Sequence, residues 1–309
     1  MNDIIHETAQ KIESMEIRGA GRIAVAASNA IKIYVENLNV SSMEEFKNEI
    51  NQVRSVLINT RPTAVSLPNA VKISSTFKSN TVDEAKKEII ENADNFIKSA
   101  QKAIDSIGEI GSRRISNGSV ILTHCNSHAA IASIKKAFDQ GKSISVVATE
   151  SRPRKQGLIT AKELNDYGIK TTLIVDSAVM SIMKKVDLVI VGADSIAVNG
   201  TLVNKIGTSQ LALIANESRV NFIVAAETYK FSPNTILGQK IDIEERSPYE
   251  VVDAEYLSTL ENVTIKNPAF DFTPAEYIDL IITEAGAIPP QMAYVIIRDY
   301  LGWTLEDLD

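Results

Sequence analysis

Cys125 is the only cysteine, and it stands in the run Thr123-His124-Cys125-Asn126-Ser127-His128; Asp194 closes the apolar run Asp187-Leu188-Val189-Ile190-Val191-Gly192-Ala193. A thiol and a carboxyl group, each placed just past a short apolar segment, suit proton transfer: a thiolate accepts a proton and a neutral carboxyl donates one. A thiol at a helix start also feels the positive end of the helix dipole, which lowers its pKa from about 8.5. The blander alternatives are a small buried hydrophobe at Cys125 and a turn or N-cap aspartate at Asp194. His124 reads as packing, because neighbours on a strand point to opposite faces, while His128 falls in a first helical turn nearer the thiol. Cationic and amide-rich segments supply candidate anion contacts. Arg152-Pro153-Arg154-Lys155 has three positive charges in four residues, Lys230 follows an apolar run, and Asn204-Lys205 precede Gly207-Thr208-Ser209, a helix start that could bind an anion. Arg18-Gly19-Ala20-Gly21-Arg22 would let backbone N–H groups approach a ligand closely, and Arg61 stands at a helix end before Pro62. No dinucleotide fingerprint, P-loop, GxSxG, HExxH or EF-hand pattern is present.

These residues need elements to hold them. After the turn Ser116-Asn117-Gly118, β-branched runs at 119–123, 143–148, 170–175, 186–191 and 221–225 alternate with helical stretches at 129–138, 160–167, 178–183 and 209–215. Continuous apolar strands separated by helices predict a parallel sheet covered on both faces. Ligands of such sheets bind outside the carboxyl ends of the strands. That rule gathers 123–128, 149–157, Asp176-Ser177 and 192–195 on one rim. Before residue 112 the pattern is helical. Ser42-Met43-Glu44-Glu45 and Thr81-Val82-Asp83-Glu84 have the form of capping boxes, and Thr273-Pro274-Ala275-Glu276 predicts the start of a last helix. The expected class is α/β, with a helical N-terminal domain over 1–112 and a Rossmann-like domain with a mainly parallel sheet over 113–309.

Composition bounds the partners. Among 309 residues, 32 basic and 39 acidic side chains leave a formal charge of −7, which argues against a nucleic-acid partner but not against a local anion site. One cysteine forms no intramolecular disulfide, and with three histidines it makes no usual zinc cluster. The start MNDIIHETAQ lacks a signal-peptide pattern, and no run of about 18 apolar residues occurs. A cytoplasmic protein without a membrane partner is expected.

The segments Arg18-Gly-Ala-Gly21, Thr123-His-Cys-Asn-Ser-His128, Glu150-Ser-Arg-Pro153, Gly192-Ala-Asp194, Asn204-Lys205 and Thr283-Glu-Ala-Gly-Ala-Ile-Pro-Pro290 together resemble the translation-factor-2B-like sugar-phosphate isomerase superfamily, in family order along essentially the whole chain. Within it the pattern is most similar to the archaeal ribose-1,5-bisphosphate isomerases. Methylthioribose-1-phosphate isomerases typically read RGAPAI where this chain has RGAGRI, and a CNTG-like stretch where it has Cys125-Asn-Ser-His128. A third relative is the regulatory subunit of translation initiation factor 2B, a protein-binding class that generally lacks the paired thiol and carboxylate. The resemblance implies Cys125 as proton acceptor and Asp194 as proton donor. It further implies substrate contacts from Arg18, Gly19, Ala20, Gly21, Arg61, Ser127, His128, Ala129, Asn204, Lys205 and Lys230, with Arg152 and Lys155 as second-tier phosphate candidates. The implied reaction turns α-D-ribose 1,5-bisphosphate into D-ribulose 1,5-bisphosphate, with no metal and no organic cofactor, in a route from AMP to the Rubisco substrate. Proton transfer through an enol phosphate is the preferred course, and a hydride shift from carbon 2 to carbon 1 stays open. Carried over with the resemblance are AMP as an activator and a homo-oligomer of dimers forming a hexamer.

Overall fold

The computed structural model describes residues 3–17, 19–61 and 65–303. The chain forms an α/β fold that divides into two compact units, one comprising Met1–Ala103 and Tyr229–Phe231, the other Ile104–Thr228 and Ser232–Asp309. The first unit is helical: α1 (Asp3–Glu13), α2 (Ala20–Asn37), α3 (Met43–Asn59), α4 (Ser66–Ser75) and the first part of α5 (Val82–Ser112). Along α2, Ile23, Ala27, Ala30, Ile31 and Tyr34 recur at helical spacing and bury one face. That face joins Ile5, Phe46, Leu57, Leu67 and Ile89 in a single core, each large side chain contributing about 1.5–3 kcal/mol. The Ser42 hydroxyl accepts from Glu45 N at 3.1 Å and so caps α3, while the Glu45 carboxylate returns to Ser41 N at 3.4 Å. Residues 229–231 pack with this unit because the Asn69 side-chain amide donates to the carbonyls of Tyr229 and Phe231, each at 2.9 Å, and the Tyr229 ring lies 5.4 Å from that of Phe96.

The second unit starts with the end of α5 and continues through β1 (Val120–Thr123), α6 (His128–Asp139), β2 (Ser145–Thr149), α7 (Gln156–Asp166), β3 (Lys170–Ile174), α8 (Val179–Ile182), β4 (Leu188–Val191), β5 (Ser195–Ile196), β6 (Leu202–Lys205), α9 (Thr208–Glu217), β7 (Asn221–Ala225), α10 (Ala254–Ser258), β8 (Phe270–Thr273), β9 (Leu280–Thr283), β10 (Gly286–Ile288) and α11 (Ala293–Asp299). Seven strands form one sheet in the order β10-β9-β7-β4-β1-β2-β3. Every neighbouring pair is parallel except β9 and β10. The unbroken apolar run of β4 is buried at all four positions, as a central strand requires. Ile121, Leu188, Ile190 and Ile223 share a core with Ile131 and Ile134 of α6 and Ile107 at the end of α5. The chain leaves β1 toward β2 and leaves β4 toward β7, so the strand order reverses between these two neighbours.

Two features depart from the sequence pattern. The predicted helix at Thr273 does not form: Thr273 ends β8, a single 3-10 turn covers Ala275–Tyr277, and β9 follows. The local signal for a helix start is overridden because Leu280–Thr283 pairs with β7, and Asp279 accepts from Phe222 N at 2.7 Å. A second, antiparallel sheet of β5, β6 and β8 is not expected from the pattern. β5 has two residues and β8 lies far along the chain, so neither shows as a run. The Asn199-Gly200 turn that joins β5 to β6 was legible.

Gly192, just past β4, is a close-approach position. A Cβ added there would collide with the side chain of Ser127, whose hydroxyl caps α6 by accepting from Ala130 N at 3.3 Å. Gly192→Ala should therefore lower the melting temperature by roughly 3–10 °C, the range expected for overpacking. Combining it with Ser127→Gly removes the colliding atoms and should restore most of that loss in a thermal melt.

Candidate active site

β1 ends at Thr123 and α6 starts at His128, so the thiol sits on the short link between them. Cys125 adopts φ 68, a left-handed backbone that costs a non-glycine residue about 1–2 kcal/mol. Hydrogen bonds hold it there. Its N–H donates to the Ser151 hydroxyl at 2.7 Å, and its carbonyl accepts from the Thr160 hydroxyl at 2.7 Å. His124 is buried, with Nε2 2.9 Å from the Ile206 carbonyl and Nδ1 2.6 Å from the Thr149 hydroxyl. A carbonyl only accepts, so Nε2 carries the proton and Nδ1 accepts from Thr149. Burial holds the imidazole below its ordinary pKa, which keeps it neutral. With both ring nitrogens engaged, His124 does not pair with the thiol.

Asp194 lies between β4 and β5, and its N–H donates to the Val203 carbonyl at 3.0 Å. Lys205, at the end of β6, is 5% exposed. Its ammonium lies 3.2 Å from the Ala269 carbonyl and 4.9 Å from the centre of the Phe270 ring, its cross-strand partner. Cys125, Asp194 and Lys205 act on one another electrostatically, and Arg246 adds a second positive charge. Burial pushes the Cys125 thiol up to about 11. The charges of Lys205 and Arg246 pull it down and that of Asp194 pushes it further up. The expected lowering by the helix dipole is therefore not found. Cys125 stands two residues before the N-cap Ser127, its N–H is spent on Ser151, and loss of water outweighs the nearby positive charge. Burial also lowers Lys205, while Cys125 and Asp194 raise it again.

The other candidates fall into separate places. The N-terminus of α9, expected as an anion site, already holds one: the Asp271 carboxylate accepts from Gly207 N at 2.7 Å and from Ser209 N at 3.1 Å. Burial raises Asp271 to about 6 despite those bonds. Asn204 points to the opposite face of β6 from Lys205, and its amide donates to the Thr208 hydroxyl at 3.0 Å. Ser127 caps α6, His128 is exposed on its first turn and Ala129 is buried. Arg152 is exposed and donates to the Val251 carbonyl at 3.2 Å, Arg154 pairs with Glu250 at 2.5 Å, and Lys155 is exposed before α7. In the first unit, Gly19 caps α2 at φ 91, with Ala20 and Gly21 as its first two residues. Arg61 follows α3 in that unit, and Lys230 is buried within the segment Tyr229–Phe231. Arg18 lies outside the described residues. No sequence signal points to Arg246 or Asp271, which come from irregular or unexpected segments. Ser151 was visible only as part of a motif.

Residues 16–290 match the initiation factor 2 subunit family, and the chain belongs to it. It is 58% identical over 301 residues to a ribose 1,5-bisphosphate isomerase of Methanocaldococcus jannaschii, covering 97% of this chain and 96% of that one. A methylthioribose-1-phosphate isomerase of Acetivibrio thermocellus is 42% identical over 300 residues, covering 92% and 88%. The crystal structure of a translation initiation factor eIF-2B from Pyrococcus horikoshii OT3 superposes with a TM-score of 0.81 at 30% identity, covering 94% of this chain and 98% of that one.

Because Cys125 is the sole thiol, its ionisation can be followed without ambiguity. The rate of alkylation by iodoacetamide should rise about tenfold per pH unit up to at least pH ~9.5, since only the thiolate reacts. The raised thiol should also make stability, present in full below the unfolded value, fall as pH climbs from about 9 toward 11. Alkylation that levels off near pH ~8 would contradict the burial described here.

Proposed function

We infer that this chain is a ribose-1,5-bisphosphate isomerase, an aldose–ketose isomerase that converts α-D-ribose 1,5-bisphosphate into D-ribulose 1,5-bisphosphate. The observation that carries the reading is 58% identity to an enzyme of that name along nearly the full length of both chains. The grouping of Cys125, Asp194 and Lys205 at the reversal of strand order supports it, because that is where parallel sheets bind small molecules.

The phosphate on carbon 1 blocks the free aldehyde, so the furanose ring must open first. In our reading Asp194 donates a proton to the ring oxygen as its bond to carbon 1 breaks. The Cys125 thiolate then takes the proton from carbon 2, giving an enol phosphate. Return of that proton from the Cys125 thiol to carbon 1, with transfer of the carbon 2 hydroxyl proton to the Asp194 carboxylate, gives the ketone and restores both groups. With the thiol near 11, roughly one in ten thousand is ionised at neutral pH in the free protein. The thiol must therefore give up its proton before it acts as the base. The buried Lys205 ammonium offsets the charge that then appears on sulfur. The finer proposals are the substrate contacts that the resemblance assigns, activation by AMP, and assembly of dimers into a hexamer.

Ribose 1,5-bisphosphate should be turned over far better than ribose 1-phosphate, ribose 5-phosphate or methylthioribose 1-phosphate, because a missing phosphate forfeits the charge-assisted bonds that its binding would supply. Equal kcat/KM for mono- and bisphosphates in a coupled assay with AMP would overturn the reading. Sub-micromolar binding to the initiation factor's α subunit without any turnover would favour the protein-binding class.

Cys125→Ser and Asp194→Asn test the assigned roles. Each should lower kcat by roughly two to four orders of magnitude with little change in melting temperature. The double variant should lose far less than the product of the two effects, since both residues serve one proton-transfer sequence. A Cys125→Ser protein with near-normal kcat and a lowered melting temperature would make Cys125 a packing residue.

A further inference from the structure

We infer that Ser151 and Asp176 are positioning residues that hold Cys125 in its left-handed turn and so aim its thiol; this rests on the reading of Cys125 as the base. Three adjacent strands deliver the parts. Thr149 of β2 pairs with Ile174 of β3, and Ser151 and Asp176 each stand two residues past that pair. Thr123 of β1 pairs with Ala148 of β2, which brings Cys125 level with this same edge. The Asp176 carboxylate accepts from Ser151 N at 2.8 Å through one oxygen and from Arg152 N at 2.7 Å through the other. Charge-assisted bonds of this kind are about twice as strong as neutral ones, and they fix Ser151 at φ 60, itself left-handed. The Ser151 side chain is wholly buried and takes the Cys125 N–H at 2.7 Å.

Behind that contact the directions at His124 are fixed, and the Ser151 hydroxyl has a choice of acceptors. The Ile206 carbonyl accepts from His124 Nε2, so His124 Nδ1 accepts from the Thr149 hydroxyl. The Ser151 proton can go to the Thr149 hydroxyl oxygen at 3.3 Å, or to the Thr149 carbonyl or His124 Nδ1, each at 3.4 Å, and in every case the Ser151 oxygen accepts from Cys125 N. Each donor in this relay has its acceptor. Two non-glycine residues, Cys125 and Ser151, thus hold an unfavourable backbone in direct contact, and one carboxylate secures both. Such an arrangement belongs where the position of one atom matters.

The test uses the full-length protein and its single thiol. Ser151→Ala should lower kcat by about 10–100-fold with KM within about threefold of wild type, as expected when a reacting group shifts slightly. Alkylation of Cys125 by iodoacetamide, read by mass spectrometry, should change severalfold in the same variant. Asp176→Asn keeps one carbonyl oxygen as acceptor and should lose less activity than Asp176→Ala, and it serves as the readout if Ser151→Ala does not fold. If kcat and the alkylation rate of Ser151→Ala and Asp176→Ala stay within about twofold of wild type while the melting temperature falls, the residues are merely structural and the inference is overturned. Failure of the parent reading looks different: Cys125→Ser then keeps its activity, while the alkylation change in Ser151→Ala still reports the positioning.

Discussion

β1 and β4 lie side by side, yet the chain leaves them in opposite directions, and the candidate site is built on the segments that follow them. The segment after β1 carries Cys125, the segment after β4 carries Asp194, and the short antiparallel sheet that grows from β5 returns Lys205 toward both. The divergence also brings backbones close. At Gly192 a single added carbon would meet Ser127, so the two strand ends approach as nearly as side chains allow. Parallel strand registers then extend the same order sideways, to Ser151 and Asp176 past β2 and β3.

Within that frame the electrostatics are those of a thiol that burial keeps protonated. Burial shifts Cys125 up and Lys205 down, so each favours its neutral form when taken alone. Each charge favours the other, however, because an ammonium beside a thiolate replaces part of the lost hydration. Burial thus resists ionisation of the thiol, and the neighbouring ammonium opposes part of that resistance. This differs from the helix-terminus thiolate that the sequence suggests. The same distinction appears at α9, where the dipole end is satisfied by Asp271 rather than left for a ligand.

Much of the fold was legible for definite reasons. Central strands such as Leu188–Val191 are uniformly apolar, and long helices such as α2 repeat their buried positions at helical spacing. Capping at Ser42 and the turn at Asn199-Gly200 follow from local chemistry. The three-stranded sheet was not legible, because β5 is too short to show a period and β8 pairs across roughly 70 residues. Thr273-Pro274 shows the reverse failure, a sound local signal defeated by strand pairing. At the site, Cys125 and Asp194 stood out by residue type and by place after apolar strands. Arg246 did not, since its role depends on where an irregular segment runs. The left-handed backbone at Cys125 was invisible as well, because no glycine marks it.

The most direct measurement is a crystal structure of the Cys125→Ser protein with α-D-ribose 1,5-bisphosphate bound. The hydroxyl oxygen that replaces the sulfur should lie about 3–3.5 Å from carbon 2 on the face that bears its hydrogen, with the Asp194 carboxyl within hydrogen-bond reach of the ring oxygen. A sugar bound with carbon 2 far from that hydroxyl, or with its ring oxygen turned away from Asp194, would contradict the account.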